Sequence, residues 1–131
     1  MSRPTPSATE LGRGLGEQLA TAIATRDRAA LRALFTTPVR FTAVTPRRFW
    51  DAETPVEIED VVFGHWFPDD VAVTDVRMLE RDPVQHTATL GYRLAADTPA
   101  GPTVVEQVGY YQVTDGRIST LRLVCSGFHR V

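Results

Sequence analysis

An α+β fold, with three N-terminal helices packed in a curved antiparallel sheet, follows from three features of the 131-residue sequence. Apolar residues in the first part recur at three- and four-residue spacing, the mark of helices buried along one face. From Val71 the pattern changes to four strand-like runs, "VAVTDVRMLE", "HTATLGYRLA", "TVVEQVGYYQV" and "ISTLRLVCSG". The last two flank Asp115-Gly116, a pair suited to a tight hairpin, so the four runs form an antiparallel meander. Helices first and strands after, in a chain of one-domain length, place the helices on one side of the sheet.

In chain order, residues 1–8 carry two prolines and read as a flexible N-terminal arm, leaving residues 9–131 as the single domain. Ser7 and Glu10 have capping-box spacing. Leu11, Leu15, Leu19, Ala22 and Ile23 then follow at helical spacing. The glycines of "GRGLG" weaken that helix and point to a close helix–helix or helix–sheet contact. Asp27 caps a second helix over residues 28–35 that Thr37-Pro38 stops. "VRFTAV" alternates as a strand with Val39, Phe41 and Ala43 inward, and "RRFWDA" returns beside it. Thr54-Pro55 opens a third helix that runs to Phe67, with proline at its first position.

Composition closes several functional classes. A net charge of −2 and a pI near 5.9 leave no electrostatic footprint for nucleic acid. No apolar run is long enough to span a membrane, and "MSRPTPSATE" has no signal core, so a cytoplasmic location is expected. One cysteine forms no internal disulfide. All 14 basic residues are arginine and asparagine is absent too, which points to a GC-rich bacterial gene of the actinobacterial kind. Without lysine there is no Schiff-base chemistry. His65, His86, His129 and Cys125 share no ligand spacing, so no metal and no cofactor is expected.

The element order and the closing "YYQVTDGRISTLRLV" resemble the SnoaL-like branch of the nuclear transport factor 2-like superfamily. The recognisable turn is Tyr111, Val113, Asp115, Gly116, Arg117 and Ile118; the Trp50 segment and the helix ending in Trp66-Phe67 fit as well, and the likeness spans residues 9–128. It implies a cystatin-like cone, an α+β barrel with an internal cavity, and the isomerase, cyclase, dehydratase and epoxide-hydrolase activities such cones host, as well as members without catalysis. The catalytic signatures are missing. The first helix has no tyrosine of the ketosteroid isomerase kind. The strands hold Arg93 and Arg122 without the inward acid pair of limonene-epoxide-hydrolase-like members. Gly109 stands where SnoaL-type cyclases carry an acid.

Strand alternation puts Ala88, Leu90, Tyr92, Leu94, Gln107, Tyr111, Leu121, Leu123 and Cys125 on the enclosed face. This surface, apolar with a few polar points, suits a small hydrophobic or aromatic molecule and equally an ordinary core. The small residues Gly109 and Ala88 suggest room. Tyr92, Tyr111 and Gln107 are the expected ligand binders, with Trp50 and Trp66 roofing the cavity and Leu121, Leu123 and Cys125 in its wall. Cys125 reads as packing, since no base is spaced to activate it. His65 continues the stripe of Ile58, Val61 and Val62, so its imidazole is expected on the buried face as a general base, or as a core histidine. Asp51 is its candidate partner, or a solvated turn acid. Val104, Val108, Tyr110 and Val124 make the outer face apolar, which suits a homodimer packed sheet to sheet. The expectation is therefore a ligand-binding cone with cofactor-free acid–base chemistry, or an accessory binding or dimerisation protein of the same shape.

Overall fold

The computed structural model describes residues 8–84 and 87–131, with side chains described from residue 14 onward. Ser7 of the expected capping box, His86, and the expected arm apart from Ala8 lie outside the described residues. Three α-helices, α1 (Ala8–Thr25), α2 (Arg28–Ala33) and α3 (Pro55–Glu59), pack against a curved, open sheet of seven strands. The strands are β1 (Phe35–Thr45), β2 (Arg48–Ala52), β3 (Ala72–Met78), β4 (Ala88–Thr98), β5 (Gly101–Thr114), β6 (Arg117–Cys125) and β7 (His129–Arg130).

Helix α1 buries Leu15, Leu19, Ala22 and Ile23 against β3 and β4. Gly16 makes the approach close: a Cβ there would lie 3.2 Å from the Leu90 Cβ. Asp27 caps α2 by accepting a hydrogen bond from the Ala30 amide at 3.0 Å. The helix ends at Ala33, not at Phe35 as the sequence suggests, because Phe35 already pairs with Ile118 as strand. Thr54 caps α3 and Pro55 begins it, as expected.

The third helix differs in kind. After Glu59 it continues as a π-helical segment, Asp60–Trp66. Its closing bond runs five residues, from the Phe67 amide to the Val62 carbonyl at 2.7 Å. The buried positions accordingly repeat at five: Val61 with Trp66, and Val62 with Phe67. Arg26 secures the far end, its guanidinium donating to the carbonyls of Phe67, Pro68 and Val71 and pairing with Asp69.

The strand order β2-β1-β6-β5-β4-β3 contains the expected meander of β3 to β6. The hairpin of β5 and β6 turns on Asp115 (φ 52°) and Gly116 (φ 79°), both left-handed as a type I′ turn requires. Two pairings were not expected. β1 joins β6 in parallel, and the short β7 pairs with β5 beyond the end of β6. The core lies between the helices and the inner sheet face, with Phe35, Phe41, Phe67, Leu94, Ile118 and Leu121 fully enclosed. Each such side chain contributes roughly 1.5–3 kcal/mol by leaving water.

Candidate functional site on the inner face of the sheet

Register places the inward residues in three successive rows across the strands, with polar side chains in the first and third. One row is Tyr92, Gln107 and Cys125 on β4, β5 and β6. The next is Leu90, Gly109, Leu123 and Ala43. The third is Ala88, Tyr111, Leu121 and Phe41, and over Phe41 stands the Trp66 indole, ring centroids 6.1 Å apart. Strand alternation alone brings these together, and the π-helix adds Trp66 from above.

Three polar atoms on this face have no hydrogen-bond partner: Gln107 Nε2, the Tyr111 hydroxyl and Trp66 Nε1. Gln107 and Tyr111 are 1% exposed and Trp66 8%. An unpaired buried polar group costs about 1–3 kcal/mol, so the trio is expensive for a core of this size. The other half of the Gln107 amide is occupied: the Tyr92 hydroxyl donates to Oε1 at 2.5 Å. The second buried polar residue, Thr103, is satisfied by the Ala96 carbonyl at 2.8 Å.

Burial sets the charge state of this face. It pushes the Tyr111 phenol up to about 12. It raises the Tyr92 phenol further, with the neighbouring Cys125 thiol adding to the effect. Both phenols therefore hold their protons at neutral pH and act as donors. Cys125 is buried, its sulfur accepting the Gly127 amide at 3.5 Å, which is a packing role. Among the described residues no carboxylate and no imidazole is buried on this face.

His65 is placed elsewhere. Its side chain is 45% exposed, outside the stripe of Ile58, Val61 and Val62. The cause is the five-residue repeat of the π-helix, which stacks His65 over Asp60, Nε2 to Oδ2 at 3.7 Å, in place of the buried row. Asp51 is exposed as well and pairs in register with Thr42 on β1. The two share an external groove with Trp50, Val56 and Glu57, of about 540 Å³. Trp50 faces that groove instead of roofing the interior. It is half-buried, 5.0 Å from the His65 ring and 3.7 Å below the Arg48 guanidinium, with its indole N–H bonded to Thr45.

Gly109 does not provide the expected room. A Cβ there would fall on the Arg122 carbonyl oxygen, so the glycine permits close strand approach. Ala88 is only partly buried, and Leu121 and Leu123 are close-packed core. Five depressions on the described chain are external grooves, and neither Tyr92 nor Gln107 lines any of them.

No family model and no curated protein matches the chain. Solved structures do. A candidate isomerase from Bacillus subtilis superposes with a TM-score of 0.75 at 12% identity, over 92% of this chain and 90% of its own. An epoxide hydrolase from M. tuberculosis, likened to limonene epoxide hydrolase, gives 0.68 at 14% identity over 92% and 86%. A candidate SnoaL-like polyketide cyclase from Mesorhizobium loti gives 0.65 at 12% identity over 90% and 98%. The chain has the nuclear transport factor 2-like fold.

Within this fold the inner face is the concave side of the sheet, covered by α1 and the π-helix. Sequence reading found Tyr92, Gln107 and Tyr111 through strand alternation. It also placed Trp66 over the interior, while the unpartnered state of its indole nitrogen is visible only in the structure.

Proposed function

We propose that the chain binds a small, neutral, predominantly apolar molecule against the inner face of the sheet, without acid–base catalysis. The three unpartnered polar atoms of Gln107, Tyr111 and Trp66 carry this reading, because a ligand with polar groups of its own offsets their cost. The surrounding Phe41, Leu90, Leu121 and Leu123 supply apolar contact and exclude a charged ligand. Since these residues are covered, entry requires the helical layer over them, α1 or the π-helical segment, to move. Acid–base chemistry needs a proton acceptor, and the described inner face offers only protonated phenols and a packed thiol.

The protein acts as a homodimer through the outer sheet face. There Phe49, Val44, Val124 and Val108 form one apolar row across four strands, the first three 61%, 47% and 55% exposed. The row of Arg122 lies on one side of it and the row of Glu106 on the other. A two-fold axis along the apolar row lays that row on its own copy in the partner, an isologous contact, while each flanking row balances charge within itself, Arg93 pairing with Glu106 and Asp51 sharing the row of Arg122.

Equilibrium dialysis with acetylnaphthalene, an apolar aryl ketone, tests the binding. Wild type binds it, and the Gln107→Leu/Tyr111→Phe double variant loses on the order of tenfold in affinity, because the single carbonyl pairs with one of the two groups. In deuterated buffer the methyl protons of the ketone exchange no faster with protein than without. Equal binding by wild type and variant overturns the site, and accelerated exchange overturns the absence of catalysis.

A further inference from the structure

Resting on that reading, we propose that the inner face selects a ligand bearing a carbonyl acceptor over the matching alcohol, and that Tyr92 sets this selectivity as a positioning residue for Gln107. A glutamine amide offers a donor on one side and an acceptor on the other, and turning it over exchanges them. Here one side is taken. The Tyr92 hydroxyl donates to Gln107 Oε1, and the amide is left presenting Nε2, a donor without a partner.

The alternative orientation is costly at Tyr92. With the amide turned over, Nε2 would face the phenol oxygen, and the phenolic proton would need another acceptor. Cys125, next to Gln107 in register, already receives the Gly127 amide on its sulfur. Tyr92 is wholly enclosed, so water does not take that proton. A carbonyl ligand satisfies the observed arrangement completely: it accepts from Nε2 while Oε1 stays with Tyr92. An alcohol can accept from Nε2 as well, but its own proton then finds no acceptor on the Gln107 amide, whose Oε1 is held by Tyr92.

The rest of the trio agrees. Trp66 Nε1 is a donor only, and the protonated Tyr111 hydroxyl, which can donate or accept, has no partner. The face therefore presents three groups able to donate, from two elements: one on the π-helix, and two at positions four residues apart on β5. Four residues of strand span about 13 Å, which suits a rigid ligand with an oxygen toward each end.

The test compares acetylnaphthalene with the carbinol formed by reducing its ketone, by isothermal titration on the full-length protein. These ligands share one ring system and differ in one group, a carbonyl that only accepts against a hydroxyl that must also place a proton. Wild type should prefer the ketone on the order of tenfold, the cost of stranding the alcohol proton. Tyr92→Phe frees Gln107 to turn over, so the ratio should fall to within about threefold of unity while the ketone still binds. A merely structural role for Tyr92 would weaken both ligands together and leave their ratio untouched. Should Tyr92→Phe fail to fold, Gln107→Met, which keeps the length and removes both polar groups, should erase the preference likewise. Equal affinities in wild type overturn the selectivity, and a preference that survives in Tyr92→Phe or Gln107→Met overturns the assignment to this pair. Failure of wild type to bind either ligand overturns the binding reading itself, a different outcome from binding without preference.

Discussion

Tyr111 carries a hydroxyl into the core and bonds it to nothing, so removing that oxygen tests the site independently of any ligand. Tyr111→Phe should stabilise the free protein by about 1 kcal/mol in urea unfolding while weakening ligand binding. A destabilised variant would mean that the hydroxyl is satisfied after all. The same phenol titrates late. With the folded value about 12 and the ordinary value near 10, the unfolded chain holds fewer protons between those limits. Its contribution to stability is thus full below about pH 10 and lost as pH rises toward 12. Phenolate absorbance from Tyr92 and Tyr111 should therefore appear only above that range, or together with unfolding. His65 makes the opposite prediction. Exposed on the π-helix, it should accept alanine with less than about 0.5 kcal/mol change in stability and no change in ligand affinity.

At the scale of elements, the strands were legible and the third helix only half so. Residues two apart share a face whatever surrounds them, so Tyr92, Gln107, Tyr111, Leu121, Leu123 and Cys125 could be assigned to the interior from alternation alone. A helix offers two periods, and the ordinary one carried His65 inward on the spacing of Val61 and Val62. The extra residue in the π-turn cancels that placement and delivers Trp66 instead. Gly109 misled for a related reason: a glycine in a strand signals either space or a close neighbour, and the carbonyl of Arg122 decides for the neighbour. Gly109→Ala should accordingly destabilise by about 1–3 kcal/mol, measured by thermal unfolding. A neutral effect would return the argument to open space. Arg26 holds the end of the π-helix, so Arg26→Ala should speed amide exchange over residues 67–71 without affecting the β5–β6 hairpin.

For the whole molecule, the sequence carried the layer architecture and the meander, because neighbouring strands joined by short turns pair locally. The parallel joining of β1 to β6 was not legible, since it links segments about eighty residues apart with no turn to announce it. That joining aligns Phe49, Val44, Val124 and Val108 into one exposed row. Val124→Arg should turn a dimer in sedimentation velocity into a monomer with unchanged circular dichroism. A monomeric wild type would overturn the outer-face interface and leave the inner face untouched.

Native mass spectrometry of the protein purified without added ligand, set against its denatured mass, tests the central claim most directly. The account predicts a complex carrying extra non-covalent mass, absent from Gln107→Leu/Tyr111→Phe, and the released molecule should be neutral, apolar and carbonyl-bearing. Extra mass that persists in the double variant, or a charged molecule released from wild type, would contradict it.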